Sequence, residues 1–306
     1  MHKIAIVVPT KDRAEDLRKM LASAASQTRK PDQLIVVDGS NPDVRFVVEE
    51  FAGALAIDYI RVFPPSLAAQ RNAGMAALRP DITLAGYIDD DIVLEPAALK
   101  HMMAFWDAAG ADVGGAAFNI TNNPPPHWQS LKRWLGIDDP TPGIMLRSGF
   151  PSSISYQTKT IETDWLYGGA TVWRREVIRR FPYDEWYIGT GYMEDVDYSF
   201  NVREHYRLAL AGDARLAHYS HPVRPERQFL LGQWQVVNRM HLVRKFRRRG
   251  LSIAHAWIAS IGLFILHGLQ AAARLDHAAW NRAKGNLDGM LSEIRGHRKQ
   301  LGGFLK

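Results

Sequence analysis

Short apolar runs bounded by turn-forming residues recur through the first half of the chain. Residues 4–8, 34–37, 58–62 and 82–88 have the length and composition of buried strands. Between them, residues 14–26, 44–52 and 67–78 read as helices. This alternation predicts a largely parallel sheet covered by helices on both faces. Ligands of such sheets bind beyond the carboxyl ends of the strands. The run 4–8 is too short for the apolar region of a signal peptide, and Pro9, Lys11 and Asp12 follow it directly, so the start of the chain reads as the first strand.

Past Pro225 the pattern changes. Residues 228–245 read as a helix, followed by the basic run Arg244-Lys245-Phe246-Arg247-Arg248-Arg249. Residues 251–273 carry no charged side chain and are long enough to raise the question of a membrane span. Their polar residues, Ser252, His255, Ser260, His267 and Gln270, share one face at about 100° per residue. That stripe predicts an amphipathic helix lying in a membrane interface, with the basic run drawn to anionic head groups. The alternative is a helical subdomain that packs on the body or on a second copy. Trp280, Ala283, Leu287, Leu291 and Ile294 repeat the amphipathic spacing. The expected organisation is a catalytic domain over 1–225 and a basic helical region over 226–306. The expected location is cytoplasmic, peripheral at the inner face of the plasma membrane.

Charge sharpens this division. The net charge of +6 suggests a nucleic-acid partner, but it is unevenly spread. Residues 224–306 hold 15 Lys and Arg against 4 Asp and Glu, which leaves 23 against 28 for the rest. A mildly acidic body with a basic tail, and no recognition motif, argues against nucleic acid. The absence of cysteine removes disulfides, thiolate zinc sites and thiol nucleophiles.

Polar residues gather at the predicted strand ends: Thr10, Lys11 and Arg13 after the first, Asp38 and Ser40 after the second, Asp89-Asp90-Asp91 after the fourth. Neither a Gly-x-Gly-x-x-Gly nor a Walker-type phosphate loop is present, which excludes the common dinucleotide and P-loop enzymes. In an extended segment Asp89 and Asp91 point the same way and can face one ion. Hard oxygen ligands favour Mg2+ or Mn2+ beside a diphosphate. A solvated turn capping the next helix is the plainer account of the triplet. A second acidic cluster, Glu194-Asp195-Val196-Asp197, precedes a segment, 198–206, that reads as helical. It suits either a helix dipole or a general base. His218 and His221 follow.

Taken together, Val7-Val8-Pro9-Thr10-Lys11-Asp12-Arg13, Val36-Val37-Asp38-Gly39-Ser40, Ala69-Gln70-Arg71-Asn72-Ala73-Gly74, Ile88-Asp89-Asp90-Asp91, Tyr167-Gly168-Gly169-Ala170, Met193-Glu194-Asp195-Val196-Asp197 and His218 resemble, in order and spacing, a bacterial family 2 glycosyltransferase of the GT-A fold. The resemblance spans residues 4 to about 221. It implies a nucleotide-diphospho-sugar transferase fold, an α/β Rossmann-like, mostly parallel sheet, here with a C-terminal helical extension. It implies an inverting, metal-dependent transferase that uses a nucleotide-diphosphate sugar, a UDP-sugar foremost, a divalent cation (Mn2+ or Mg2+), and a glycan or polyprenyl-diphosphate-linked acceptor.

Residue roles follow from the same resemblance. Pro9, Thr10, Arg13, Asp38, Ser40 and Gly169 line the nucleotide-sugar pocket. Arg71 anchors the nucleotide or its phosphates, with Asn72 supporting that loop. Asp89 and Asp91 form the DxD pair, Asp90 contacts ribose or sugar, and His218 is the third metal ligand, with His221 as the alternative. Asp195 is the catalytic base, with Glu194 beside it. Trp165, Tyr167, Trp186 and Tyr192 offer aromatic faces to the acceptor, and the loop 119–150 reads as a lid or acceptor flap. A nucleotidyltransferase, or a non-catalytic nucleotide-sugar or membrane-binding module, is the alternative.

Overall fold

Residues 2–124, 130–189 and 191–296 are described by the computed structural model. Part of the proline run 124–126, Thr190 in the Gly-rich stretch before the second acidic cluster, and residues 297–306 of the basic tail lie outside them. The chain divides into two units, one of residues 1–125 and 155–220, the other of 126–154 and 221–306. The division therefore falls at 220/221 where the sequence suggested 225/226, and residues 126–154 go with the C-terminal helices.

The apolar runs of the first unit become strands because their aliphatic residues can be buried on both faces. The elements are β1 (Ile4–Thr10), α1 (Ala14–Ala25), β2 (Gln33–Asp38), α2 (Arg45–Glu49), β3 (Ile57–Arg61), α3 (Leu67–Ala76), β4 (Leu84–Ile88), β5 (Ile92–Leu94), α4 (Ala98–Ala108) and β6 (Val113–Ile120). After α5 (Ser130–Trp134), which belongs to the second unit, come β7 (Ile161–Thr163), β8 (Ala170–Arg174), α6 (Arg175–Arg180), α7 (Glu194–Val202) and β9 (Arg207–His218). The strands form one sheet in the order β3-β2-β1-β4-β8-β6-β9-β5, with β7 also on β9. The stretch β3-β2-β1-β4 is parallel, β8 runs against both β4 and β6, and β6 and β9 are parallel.

Register positions the polar strand ends. Thr10 of β1 lies beside Asp38 of β2. Ile88 of β4 faces Ala170 of β8, which sets Asp89 against Gly169. Ile92 of β5 faces His218 of β9, which sets Asp91 next to the imidazole although 127 positions separate the two in sequence. Helix α7 starts at Glu194, four residues earlier than the pattern suggested, so the acidic cluster is its first turn. Carboxylates there suit the positive helix terminus. Met193 enters the helix in the left-handed region (φ 75°), a conformation costly for a side-chain-bearing residue and frequent at functional turns.

The second unit contains α5, α8 (Gln228–Lys245), α9 (Ile253–Arg274) and α10 (His277–Ile294). Phe150 packs with Ala259 and Leu263 of α9, supported by Ile137 and Leu146. Within the expected lid, Ile137, Leu146 and Phe150 are thus packed with α9 by apolar contacts. The middle of the polar stripe of α9, Ser260 and His267, turns toward the neighbouring helices, while His255 and Gln270 stay exposed. Ser260 accepts a hydrogen bond of 2.5 Å from the fully buried Arg239 of α8, and His267 Nδ1 lies 2.8 Å from Asn286 Oδ1 of α10. Ser252 caps the helix by accepting from the His255 N–H, and Gln270 donates to Asp276 at 3.1 Å.

Candidate active site

The ends of β1, β2 and β4 meet in a connected set of charges. Asp90 is buried; its Oδ2 accepts from the Thr10 hydroxyl at 2.7 Å and its Oδ1 from Arg13 Nη1 at 3.1 Å. Burial pushes its pKa up to about 7, the Asp89 and Asp91 charges add to this, and Arg13 and Thr10 oppose it. Arg13 Nη1 also reaches Asp91 Oδ2 at 3.0 Å. Asp91 Oδ1 is buried without a well-formed hydrogen bond, and His218 Nε2 lies 3.0 Å away. Burial disfavours charge on Asp91, but His218 and Arg13 outweigh it and hold the pKa below the ordinary carboxylate value. In return Asp91 raises the His218 pKa, against the effect of burial.

Asp38 is fully buried and accepts from the Ser40 N–H at 2.7 Å, the Val44 N–H at 3.0 Å and the Tyr59 hydroxyl at 2.5 Å. It shapes the turn after β2, and the Ser40 hydroxyl extends that turn by accepting from the Asp12 N–H at 2.8 Å. Pro9 is buried within β1.

A second network centres on Arg71, which is 1% exposed. Its guanidinium donates to Glu194 Oε1 at 2.5 Å and to Asp89 Oδ1 at 3.1 Å, and it lies over the rings of Tyr183 and Tyr87. The resemblance assigned Arg71 to the nucleotide; here it is engaged with the two acidic motifs, joining the end of β4 to the first turn of α7. Glu194 is buried, and burial together with Asp195 raises its pKa well above the usual value against the pull of Arg71. Next to it, Asp195 Oδ2 accepts from the Gly168 N–H at 3.1 Å and Oδ1 from the Val196 N–H at 2.8 Å. Burial raises the Asp195 pKa, while Arg71 and the two backbone donors limit the rise. Gly169 passes so close that an added Cβ would strike the Asp89 carboxylate, and only glycine permits this approach.

Asp89, Asp90, Asp91, Glu194 and Asp195 thus face the two guanidinium groups of Arg13 and Arg71. Five clustered carboxylates, three of them buried, against two guanidinium groups call for protons or a cation. Asp91 and His218 offer hard oxygen and imidazole donors at one point, a set that fits Mn2+ or Mg2+. Asp89 belongs to the same triplet, although in this arrangement its Oδ1 is turned to Arg71.

Asn72 sits away from these groups. Its side chain donates to the Tyr183 carbonyl at 3.1 Å and Glu185 at 2.9 Å and accepts from the Tyr183 N–H at 2.9 Å, so it fixes the segment whose Tyr183 ring underlies Arg71. Trp165 is buried and meets Tyr167 edge to face at 4.6 Å; Tyr167, Trp186 and Tyr192 are partly exposed. His221 falls in the second unit. Two contributors had no assigned role in the sequence reading. Gln70 donates to the Thr10 and Val37 carbonyls at 3.0 and 2.8 Å, tying β1 to β2, and Tyr183 stacks against Tyr198 at 4.2 Å beneath Arg71. Gln70 stands beside Arg71 in its motif; nothing local marks Tyr183.

A mostly parallel sheet ending in an aspartate triplet, with a carboxylate-bearing helix joined to it through Arg71, defines a GT-A glycosyltransferase. Glycosyl transferase family 2 matches residues 5–181, more than half the sequence, and the chain belongs to that family. Among curated proteins none matches significantly. Solved structures share the fold at low identity. S. aureus TarS is 18% identical with a TM-score of 0.51, covering 86% of this chain and 43% of its own, so this chain spans less than half of it. The TarS 1–349 fragment in complex with UDP is 16% identical, TM-score 0.50, covering 96% and 92%. The mannosyltransferase PcManGT from Pyrobaculum calidifontis, in complex with GDP-Man and Mn2+, is 15% identical, TM-score 0.58, covering 95% and 87%.

Proposed function

We propose that this glycosyltransferase moves a sugar from a nucleotide-diphosphate donor, with a UDP-sugar as the leading candidate, to a hydroxyl of a glycan or lipid-linked acceptor, inverting the anomeric carbon. The observation that carries this reading is Asp195. It is a carboxylate on a rigid helical turn, held by the Gly168 N–H and raised in pKa by burial. Such a group takes the proton of an attacking hydroxyl efficiently. The acceptor oxygen bonds to the anomeric carbon, its proton passes to Asp195, and the bond to the diphosphate oxygen breaks with its electron pair leaving on the nucleotide. Arg71 and Glu194 keep the base and the Asp89 end of β4 in one frame. Arg13, the more exposed of the two guanidinium groups, would be the one to meet phosphate oxygens. A divalent cation, held by Asp91 and His218 with Asp89 beside them, would neutralise charge growing on the diphosphate. The UDP bound to TarS and the GDP-Man and Mn2+ bound to PcManGT support a nucleotide-sugar donor and a metal. The partly exposed Tyr167, Trp186 and Tyr192 suit the apolar faces of an acceptor sugar.

A thermal-shift panel of nucleotide sugars with Mn2+ identifies the donor by its stabilisation of the folded state. With that donor, Asp195→Asn should lower kcat by about 10²–10⁴-fold while leaving the donor-induced Tm shift in place. An unchanged rate removes Asp195 as the base. Retained anomeric configuration in the product, read by NMR, overturns the single displacement.

A further inference from the structure

Helix α9 exposes an aliphatic stripe, while Ser260 and His267 of its polar face turn toward the neighbouring helices. Ile258, Ile261, Ile265 and Leu269 are 49–60% exposed and recur at the three- and four-residue spacing of a single helix face. The opposite side is already occupied: Ala256, Ala259, Ser260 and Leu263 are buried, Ser260 bonds to Arg239, and His267 bonds to Asn286. Helix α10 carries its own exposed row, Trp280, Leu287, Leu291 and Ile294, and Leu275 between the helices is 85% exposed. Rows of exposed large apolar side chains of this kind mark an interaction site.

The charges beside it indicate the partner. Arg247, Arg248 and Arg249 are exposed immediately before α9, Arg274 closes it, and Lys284 lies on the exposed side of α10 over the Trp280 ring. The acidic residues of these helices are engaged elsewhere. Asp276 caps α10, Asp288 accepts from Gln233, and Glu293 pairs with Arg244. Exposed aliphatic rows beside exposed cations complement a surface that is apolar beneath and anionic above.

We infer that α9 and α10 dock this chain on an anionic lipid surface, α9 lying in the interface with its aliphatic face down. Helix α9 is long and apolar enough to cross a membrane. Its inward face, however, is committed to α8 and α10, and the buried Arg239 that its Ser260 binds would have to enter the hydrocarbon with it. One face therefore meets lipid and the other stays with protein. The inference is independent of the glycosyl-transfer reading, since no residue of the active site takes part.

The test is flotation of the full chain with vesicles of phosphatidylcholine containing phosphatidylglycerol, compared with phosphatidylcholine alone. The chain should float with the anionic vesicles. Ile261→Glu/Ile265→Glu should weaken binding by at least about tenfold, and Arg247→Glu/Arg248→Glu should weaken it while leaving the melting profile unchanged, because all four side chains are outward. Leu269→Glu, one turn beyond Ile265 on the same face, repeats the test should the double variant unfold. Failure of the full chain to float overturns the inference, as does flotation of the Ile261→Glu/Ile265→Glu or Leu269→Glu protein at the parent level. A solution dimer that Ile261→Glu/Ile265→Glu dissociates, with no flotation of the parent, would show that a second copy covers this face and would overturn it equally.

Discussion

At Arg71 a single guanidinium holds two acidic motifs that lie 105 positions apart in the sequence, Asp89 and Glu194. The residue type was legible in the sequence, but its partner was not, because a motif specifies charge and the register of distant strands specifies what the charge meets. Asp38 illustrates the same point. The Asp-Gly-Ser turn was evident, whereas the Tyr59 hydroxyl that bonds to it arrives from the next strand. Burial alone would raise the Asp38 pKa, but the Ser40, Tyr59 and Val44 donors bring it below the ordinary carboxylate value. The folded chain therefore binds this proton less readily than the unfolded one. The stabilisation is complete above the unfolded value near 4 and is lost as pH falls through the lower folded value. Asp38→Asn should cost about 1–3 kcal/mol at neutral pH, and its deficit relative to the parent should shrink on acidification below about pH 4, as read from urea midpoints at the two pH values.

Strands and helices follow the hydrophobic pattern because each records which face is covered, and that information is local. The start of α7 departs from it. Its first turn is acidic, so the apolar period begins only after the cluster, while the left-handed Met193 and the favourable dipole start the helix at Glu194. The approach of α8 to α10 is also an element-level property. A Cβ on Gly285 would strike the Phe229 carbonyl of α8 and come within 2.9 Å of the Gln233 nitrogen. Alanine in place of glycine normally favours a helix by about 1 kcal/mol, but Gly285→Ala should here destabilise the chain by about 1–3 kcal/mol, because the backbones must separate. A thermal melt with a raised Tm would refute this packing.

Across the whole molecule, the asymmetry of charge separates two tasks. The acidic body concentrates carboxylates where a diphosphate and a cation would balance them, and the 15 basic residues of 224–306 fall in the same stretch of sequence as the apolar helices. Attraction to an anionic surface acts over about one Debye length, so raising the salt toward molar should reduce vesicle binding by the parent. The Arg247→Glu/Arg248→Glu chain should respond less, and equal salt sensitivity would detach those arginines from the interaction. The sequence by itself determined the strand–helix alternation, the acidic motifs at strand ends, their order and the basic tail, since each is written in neighbouring residues. Only the tertiary structure decided that Arg71 bridges two carboxylates, that residues 126–154 group with the C-terminal helices and that Ser260 of α9 is committed to the buried Arg239. These outcomes depend on which distant groups are left to satisfy a buried charge or cover an apolar face, and burial is settled by the whole fold.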